Sequence, residues 1–385
     1  MNRFLVHSVD AQGPAVHAMV IGVSAYPHLI GGKGQTTERN EGMGQLSSPA
    51  PSARAVASWL IEELHDPSKP LATVALLLSE PDPQPFRNPR TGEDHAVEAA
   101  TMANARQALS EWGARAQSAD DRLLFYFCGH GLGNGAKAAL LLADFGANPH
   151  DPLNAAIDFS NFWLGLEAVP AREQCFFIDA CRANSETAIG ANGYMGAPIF
   201  APDIFNLPVP APPPRLAPVY YSTVLGQDAY GWPHRPSPFT DALLRGLKGA
   251  GSDNDEGDWR VSTTGLQKAI DFFMARALDA GGRRVLQLPA TNNMTTFFFH
   301  HLDREPEAVV FVGCRPAEAN DIAAFSCVSQ GVVGANRAPA PGDWEVVLLP
   351  GDYEFIADFP GGKYSRVTKR WYVSPPYRKV PLVLR

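Results

Sequence analysis

Glu173-Gln174-Cys175-Phe176-Phe177-Ile178-Asp179-Ala180-Cys181-Arg182 is a short apolar run that stops abruptly at an acid, a thiol and a base. Phe176, Phe177 and Ile178 suit a strand buried on both faces, which puts Cys181 at or just past its C-terminal end. Open α/β sheets place their chemistry there. A second run, Asp121-Arg122-Leu123-Leu124-Phe125-Tyr126-Phe127-Cys128-Gly129-His130-Gly131, has the same form and ends in a histidine between two glycines. Two strand ends thus offer a thiol and an imidazole.

Outward from these runs, residues 15–23 and 72–78 read as further strands. Ala53, Val56, Ala57, Leu60, Ile61 and Leu64 recur at helical spacing, as do Met102, Ala105, Leu109, Trp112 and Ala116. Residues 31–48 and 81–92, rich in turn formers, read as surface loops. Residues 138–142 are another apolar run, and 158–166 a helix. Strands alternating with helices predict an α/β fold, a mostly parallel sheet flanked by helices.

After Arg182 the periodicity is lost. Residues 183–218 hold Gly190, Gly193, Gly196 and a proline-rich run at 208–214, the composition of a linker or a functional loop. A strand over 219–224 then resumes the fold. Two helices follow, one through Phe239, Ala242, Leu243 and Leu247, the other through Leu266, Ile270, Phe273 and Ala277; Thr264 and Gln267 have capping-box spacing. From about residue 306 the pattern turns to short β runs at 309–312, 344–348, 353–357, 370–373 and 380–384, a small all-β sandwich. The expected division is 1–303, with linker 183–218, and 304–385.

Composition narrows the function. The 385-residue chain carries a net charge of −8, which argues against general affinity for nucleic acid or anionic membrane. Protein or peptide partners are expected instead. No run of about 18 apolar residues is present, and the first residues lack a secretory pattern, so a cytoplasmic protein is expected. Five cysteines without CxxC spacing read as reduced thiols, one of them free for catalysis. No metal or cofactor is expected: His300-His301 lacks a third ligand at useful spacing, and the acidic loop 253–258 matches a calcium loop poorly.

A thiol attacks an acyl carbon as thiolate, so Cys181 needs a base, and His130 can take the thiol proton and return it to a leaving amine. Backbone N–H groups of Gly131 and Cys181 would face the developing oxyanion. Phe-Cys-Gly-His130-Gly and Phe-Ile-Asp179-Ala-Cys181-Arg resemble the His-Gly and Asp-x-Cys motifs of the caspase-like cysteine peptidases, which include caspases, metacaspases and paracaspases. The interval fits as well, since 181 − 130 = 51, against roughly 50 in the caspase signature. Gly22-Val23-Ser24, residues 223–230 and Pro238-Phe239-Thr240-Asp241-Ala242-Leu243-Leu244 are similar to the corresponding segments of bacterial caspase-family proteins. The resemblance covers roughly residues 15–303 and implies a caspase-haemoglobinase fold.

In caspases proper a Gln stands two residues before the cysteine and P1 is Asp. Here Asp179 stands there, as in metacaspases and paracaspases, where that acid lines a pocket for Arg or Lys. The resemblance therefore implies cleavage after Arg or Lys, with Asp228 a second pocket acid. The aspartate that many metacaspases carry near the first helix is replaced by Pro51-Ser52-Ala53. Calcium activation is known in some metacaspases, without support from these residues. Arg215, basic within a pliant stretch, is a candidate self-cleavage site. In the C-terminal sandwich, Leu349-Pro350-Gly351-Asp352-Tyr353 resembles a turn of transthyretin-like and carboxypeptidase-regulatory-like modules, a candidate docking module for a protein partner. Two rival readings stay open: a catalytically silent scaffold, and another thiol acyl hydrolase.

Overall fold

Seven strands, most of them buried along their whole length, make the central sheet of the computed structural model, which describes residues 3–384 except 136, 191–192, 201–213 and 280. They are β1 (Leu5–Ser8), β2 (Val16–Val23), β3 (Leu71–Ser79), β4 (Arg122–Cys128), β5 (Glu173–Asp179), β6 (Val219–Tyr221) and β7 (Ala290–Asn292), in the order β1-β3-β2-β4-β5-β6-β7. The five inner strands run parallel, and each edge strand is antiparallel. Helices α1 (Pro49–Glu62) and α2 (Met102–Arg115) pack against this sheet. The expected mostly parallel α/β sheet is therefore present. Both halves of the reading rule show in β4 and β5: continuous apolar runs, buried on both faces, ending at polar residues.

Phe125 and Phe176, neighbours in the β4–β5 register, pack with Phe159, Phe162 and Trp112 in an aromatic cluster. Phe159 and Phe162 come from α3 (Phe159–Gly165), whose first turn is capped by the Asp158 carboxylate accepting from the Asn161 N–H. Burying such rings contributes roughly 2–3 kcal/mol each. The cluster thus packs the middle of β4 and β5 against α2 and α3.

The chain divides into two compact units. One comprises Met1–Leu244 with Ile270–Phe297, and the other Arg245–Ala269 with Phe298–Arg385. Residues 245–269 group with the C-terminal strands because their hairpin, Ser252–Asp253 with Arg260–Ser262, pairs antiparallel with Phe298–His301. That division differs from a single cut at 303. In the same segment α5 (Thr263–Met274) begins one residue before Thr264, and the Ser262 hydroxyl, accepting from Gly265 N–H at 3.1 Å, provides the cap in place of the expected Thr264.

Within the C-terminal unit two sheets form a sandwich. Strands β8 (Ala308–Arg315), β9 (Ala324–Ser329), β10 (Val332–Arg337), β11 (Trp344–Leu348), β12 (Gly351–Asp358), β13 (Val367–Val373) and β14 (Tyr377–Val383) assemble as β11-β8-β14 and β10-β9-β12-β13. Its core holds Val310, Val312, Phe325, Trp344 and Phe355. Leu349 and Pro350 carry the chain from one sheet to the other. The β9–β10 hairpin turns on Gln330 and Gly331, at φ 51° and 81°, the left-handed pair that a two-residue primed turn requires. Gln-Gly is a weak turn signal, which is why this hairpin is not legible in sequence.

Candidate active site

Parallel pairing of β4 and β5 sets the geometry. Residue pairs run from Glu173↔Arg122 to Asp179↔Cys128, a constant offset of 51 (179 − 128), and 181 − 130 is also 51. The sequence interval between thiol and imidazole is therefore the sheet register itself, continued past the strand ends. Gly129 N–H donates to the Asp179 carbonyl at 3.2 Å and carries the pairing outward. Beyond it the two chains close further: a Cβ on Gly131 would lie 2.5 Å from the Cys181 carbonyl oxygen, and one on Gly133 2.4 Å from that of Arg182. Neither glycine has positive φ among those that do. They are required for close approach of the two chains.

His130 is held from three sides. Its N–H donates to the Tyr26 hydroxyl at 2.8 Å, that hydroxyl donates to the Leu141 carbonyl at 3.2 Å, and the two rings lie 4.9 Å apart. Its Nε2 lies 2.8 Å from the Gly44 carbonyl oxygen. A carbonyl only accepts, so Nε2 carries the proton and Nδ1 is the free, basic nitrogen. Burial lowers the imidazole's pKa below its ordinary value, opposed by the Gly44 bond. Tyr26 and Gly44 escaped the sequence reading. Both belong to the loop after β2, where Gln45 bonds the Tyr26 backbone through both its amide atoms. Farther along this loop Glu41, at φ 49°, accepts from the Ser185 hydroxyl at 2.6 Å and the Thr187 N–H at 2.9 Å. The loop thus spans from the His130 ring to the chain that follows Cys181.

Cys181 is half-buried, whereas Cys128, Cys175, Cys314 and Cys327 are buried. Its Sγ accepts from the Ala229 N–H at 3.2 Å. Burial pushes the thiol's pKa up; the Ala229 bond opposes this, and the Asp228 and Asp179 carboxylates add to it. Asp228 is exposed and immediately precedes Ala229, whose N–H meets the sulfur. The segment carrying it is fixed by Arg182 N–H to Gln227 O at 3.0 Å, Gly226 N–H to Arg182 O at 3.0 Å, and Tyr230 N–H to the Gln287 side chain at 2.7 Å.

Asp179 is 3% exposed and faces a set of hydroxyls. One carboxylate oxygen accepts from the Ser237 hydroxyl, from Thr240 Oγ1 at 3.0 Å and from the Cys128 thiol at 3.4 Å. Ser237 also caps α4 (Pro238–Arg245), its Oγ accepting from Thr240 N–H at 3.0 Å, with Pro238 in the first turn. The Ser-Pro-Phe-Thr motif thus aims a helix N-terminus and two hydroxyls at Asp179. Burial nevertheless raises that carboxyl's pKa, with the hydroxyl bonds opposing. Ser52, within the Pro51-Ser52-Ala53 stretch, is fully buried and accepts from Ser237 N–H at 3.0 Å.

Arg182 does not pair with Asp179; its guanidinium lies 3.8 Å above the Tyr221 ring. Arg215 stands apart from the site. Its side chain is 4% exposed, pairs with Glu167 at 3.1 Å, donates to Trp163 O at 2.7 Å and stacks on the Trp163 ring. To serve as a cleavage residue it would have to leave all of these partners. Residues 201–213 of the expected linker lie outside the described residues. Among the described residues no three His, Cys, Asp or Glu side chains gather as a metal site, and no helix is long and apolar enough to cross a membrane.

A thiol and an imidazole carried just past the C-terminal ends of adjacent parallel strands fit a caspase-like cysteine peptidase domain. In accord with that, the family model described as caspase domain matches residues 15–296, and the chain belongs to this family. The chain is 28% identical over 215 residues to a protein named "Probable protease" from a Desulfuromonadales bacterium; that match covers 54% of the chain and 24% of the relative, about a quarter of its length. It is 24% identical over 349 residues to the uncharacterized protein y4kE of Sinorhizobium fredii, covering 81% of the chain and 95% of the relative. Caspase-1 of Spodoptera frugiperda superposes with a TM-score of 0.43 at 16% identity, covering 78% of this chain and 99% of that one.

Proposed function

We propose that the chain is a cysteine endopeptidase that cleaves after Arg or Lys, with Cys181 as nucleophile and His130 as base. The observation that supports this reading is the parallel β4–β5 pairing at an offset of 51, the interval that also separates His130 from Cys181, together with an imidazole whose Nε2 is committed to Gly44. The free Nδ1 takes the thiol proton as sulfur attacks the scissile carbonyl carbon. The oxyanion receives the N–H groups of Gly131 and Cys181. Collapse expels the amine, which takes its proton from His130, and water then hydrolyses the thioester with His130 again as base.

Specificity follows from charge. Asp228, exposed and next to Ala229, whose N–H meets the sulfur, receives the cationic P1 group, because a carboxylate favours a cation by Coulomb attraction. Asp179, enclosed by Ser237, Thr240 and Cys128, acts from beneath through its field. A panel of fluorogenic peptides with Arg, Lys, Asp or Leu at P1 tests the reading. The intact chain should release reporter from the Arg and Lys peptides, and Cys181→Ala should release none. Undiminished release by Cys181→Ala, or a preference for Asp, would overturn it.

A further inference from the structure

The hydrogen bonds around His130 close into a ring that runs through Tyr26. Gly131–Asn134 and Lys137–Leu141 form an antiparallel hairpin paired from Asn134↔Lys137 to Gly131↔Leu140, so His130 and Leu141 face each other at the next position outward. Partners at such a position exchange two N–H to carbonyl bonds. One is present, from Leu141 N–H to His130 O at 3.0 Å. The other is interrupted: the Tyr26 hydroxyl accepts from His130 N–H at 2.8 Å and donates to Leu141 O at 3.2 Å. A phenol from the loop after β2 is thus spliced into the ladder at the residue that carries the base. Gly129 leaves room for it, since a Cβ there would lie 2.8 Å from the hydroxyl oxygen. Tyr26 itself is fully buried.

The same loop supplies the second contact. Gln45 accepts from Tyr26 N–H at 2.8 Å and donates to Tyr26 O at 2.9 Å and to Ile30 O at 3.2 Å. It directly follows Gly44, whose carbonyl accepts from His130 Nε2 at 2.8 Å. One side chain therefore ties together the two residues that hold the histidine, one at its backbone and one at its ring. We propose that Tyr26 is a positioning residue for the base: its hydroxyl, spliced into the His130–Leu141 pair and clasped through Gln45 to Gly44, holds the imidazole with Nδ1 free for the thiol proton. The hydroxyl sets how far His130 stands from Leu141, and Gln45 sets where Gly44 meets the ring. Without the hydroxyl, His130 N–H closes onto the Leu141 carbonyl, the ladder gains its missing bond, and the imidazole is drawn off Gly44. The inference rests on the reading of His130 as the base, and it deepens that reading.

Tyr26→Phe removes the hydroxyl and keeps the ring that lies 4.9 Å from the imidazole. With an Arg peptide, well below the melting temperatures of both chains, kcat should fall about ten- to hundredfold, as a displacement near 1 Å can cost. KM should stay within about twofold, because the substrate's own contacts are untouched. A merely structural role would lower the melting temperature and leave kcat of the folded chain alone. Gln45→Ala, at an exposed position, keeps the hydroxyl but frees its loop, and should lower kcat about three- to tenfold. A second readout needs no turnover: the proton–nitrogen correlation signal of His130 Nε2–H in the nitrogen-labelled chain, assigned by its absence in His130→Ala. Held against Gly44, that proton exchanges slowly with water and is visible in the wild-type chain; in Tyr26→Phe it should be lost to exchange. An unchanged signal in Tyr26→Phe overturns the proposal, and so does a wild-type kcat in that variant. Should Tyr26→Phe not fold, Gln45→Ala is read by the same two criteria. Loss of the signal in a variant of a chain that cleaves no peptide keeps the positioning and removes the peptidase; cleavage undiminished by Tyr26→Phe does the reverse.

Discussion

Asp179 and His130 illustrate how a residue type is legible in sequence while its surroundings are not. An acid two residues before the thiol could be named from the motif; that Ser237, Thr240 and Cys128 enclose it depends on a helix nearly sixty residues downstream. Likewise the imidazole was evident, but its tautomer depends on the Gly44 carbonyl in a loop that carries no periodic signal. The environment of Asp179 makes a prediction about stability. Its carboxyl has a raised pKa in the fold, so its contribution is favourable below the unfolded value near 3.9 and is lost as pH rises through the folded value. At pH 8 the buried charge is a cost that a neutral amide avoids. Asp179→Asn should therefore melt higher than the wild-type chain at pH 8, by roughly 2–4 °C for each kcal/mol, with the gap closing toward pH 4. A lower melting temperature at pH 8 would show that the hydroxyl bonds outweigh desolvation.

Among elements, the two site strands were the most legible part of the chain because strands buried on both faces must be continuously apolar. Their parallel pairing was not written in either run alone, yet the interval of 51 residues turned out to be the register. Short strands escaped for the opposite reason: Leu5–Ser8 and Ala290–Asn292 are too short for a period to show, and each acquires its strand form by pairing along an edge. Gly131 lies where the chains running on from the two site strands approach closely. Gly131→Ala would place a methyl 2.5 Å from the Cys181 carbonyl oxygen and 3.0 Å from the Ala180 Cβ. We expect a stability loss of about 1–3 kcal/mol and, since a displacement near 1 Å can cost on the order of a hundredfold, a comparable fall in kcat/KM. Wild-type kinetics in this variant would mean that the close approach does not set the catalytic distance.

At the scale of the whole molecule, the caspase-domain match ends at residue 296, and the seven strands from Ala308 onward form a sandwich of their own. Its β-rich character was legible from residue 306, though the recruitment of residues 245–269 into the same unit was not, because that depends on a hairpin pairing with Phe298–His301. The proposed preference for basic P1 residues accords with a net charge of −8 and with the exposed Asp228 beside Ala229. The most direct measurement of the central claim is the mass of the chain, and of its proteolytic fragments, after treatment with a peptidyl acyloxymethyl ketone bearing Arg at P1. A catalytic sulfur displaces the acyloxy group and keeps the peptide. We predict a single adduct on the fragment containing Cys181, formed quickly with the Arg reagent and not with its Asp counterpart, and absent in His130→Ala. No adduct, or an adduct on another cysteine, would contradict the account.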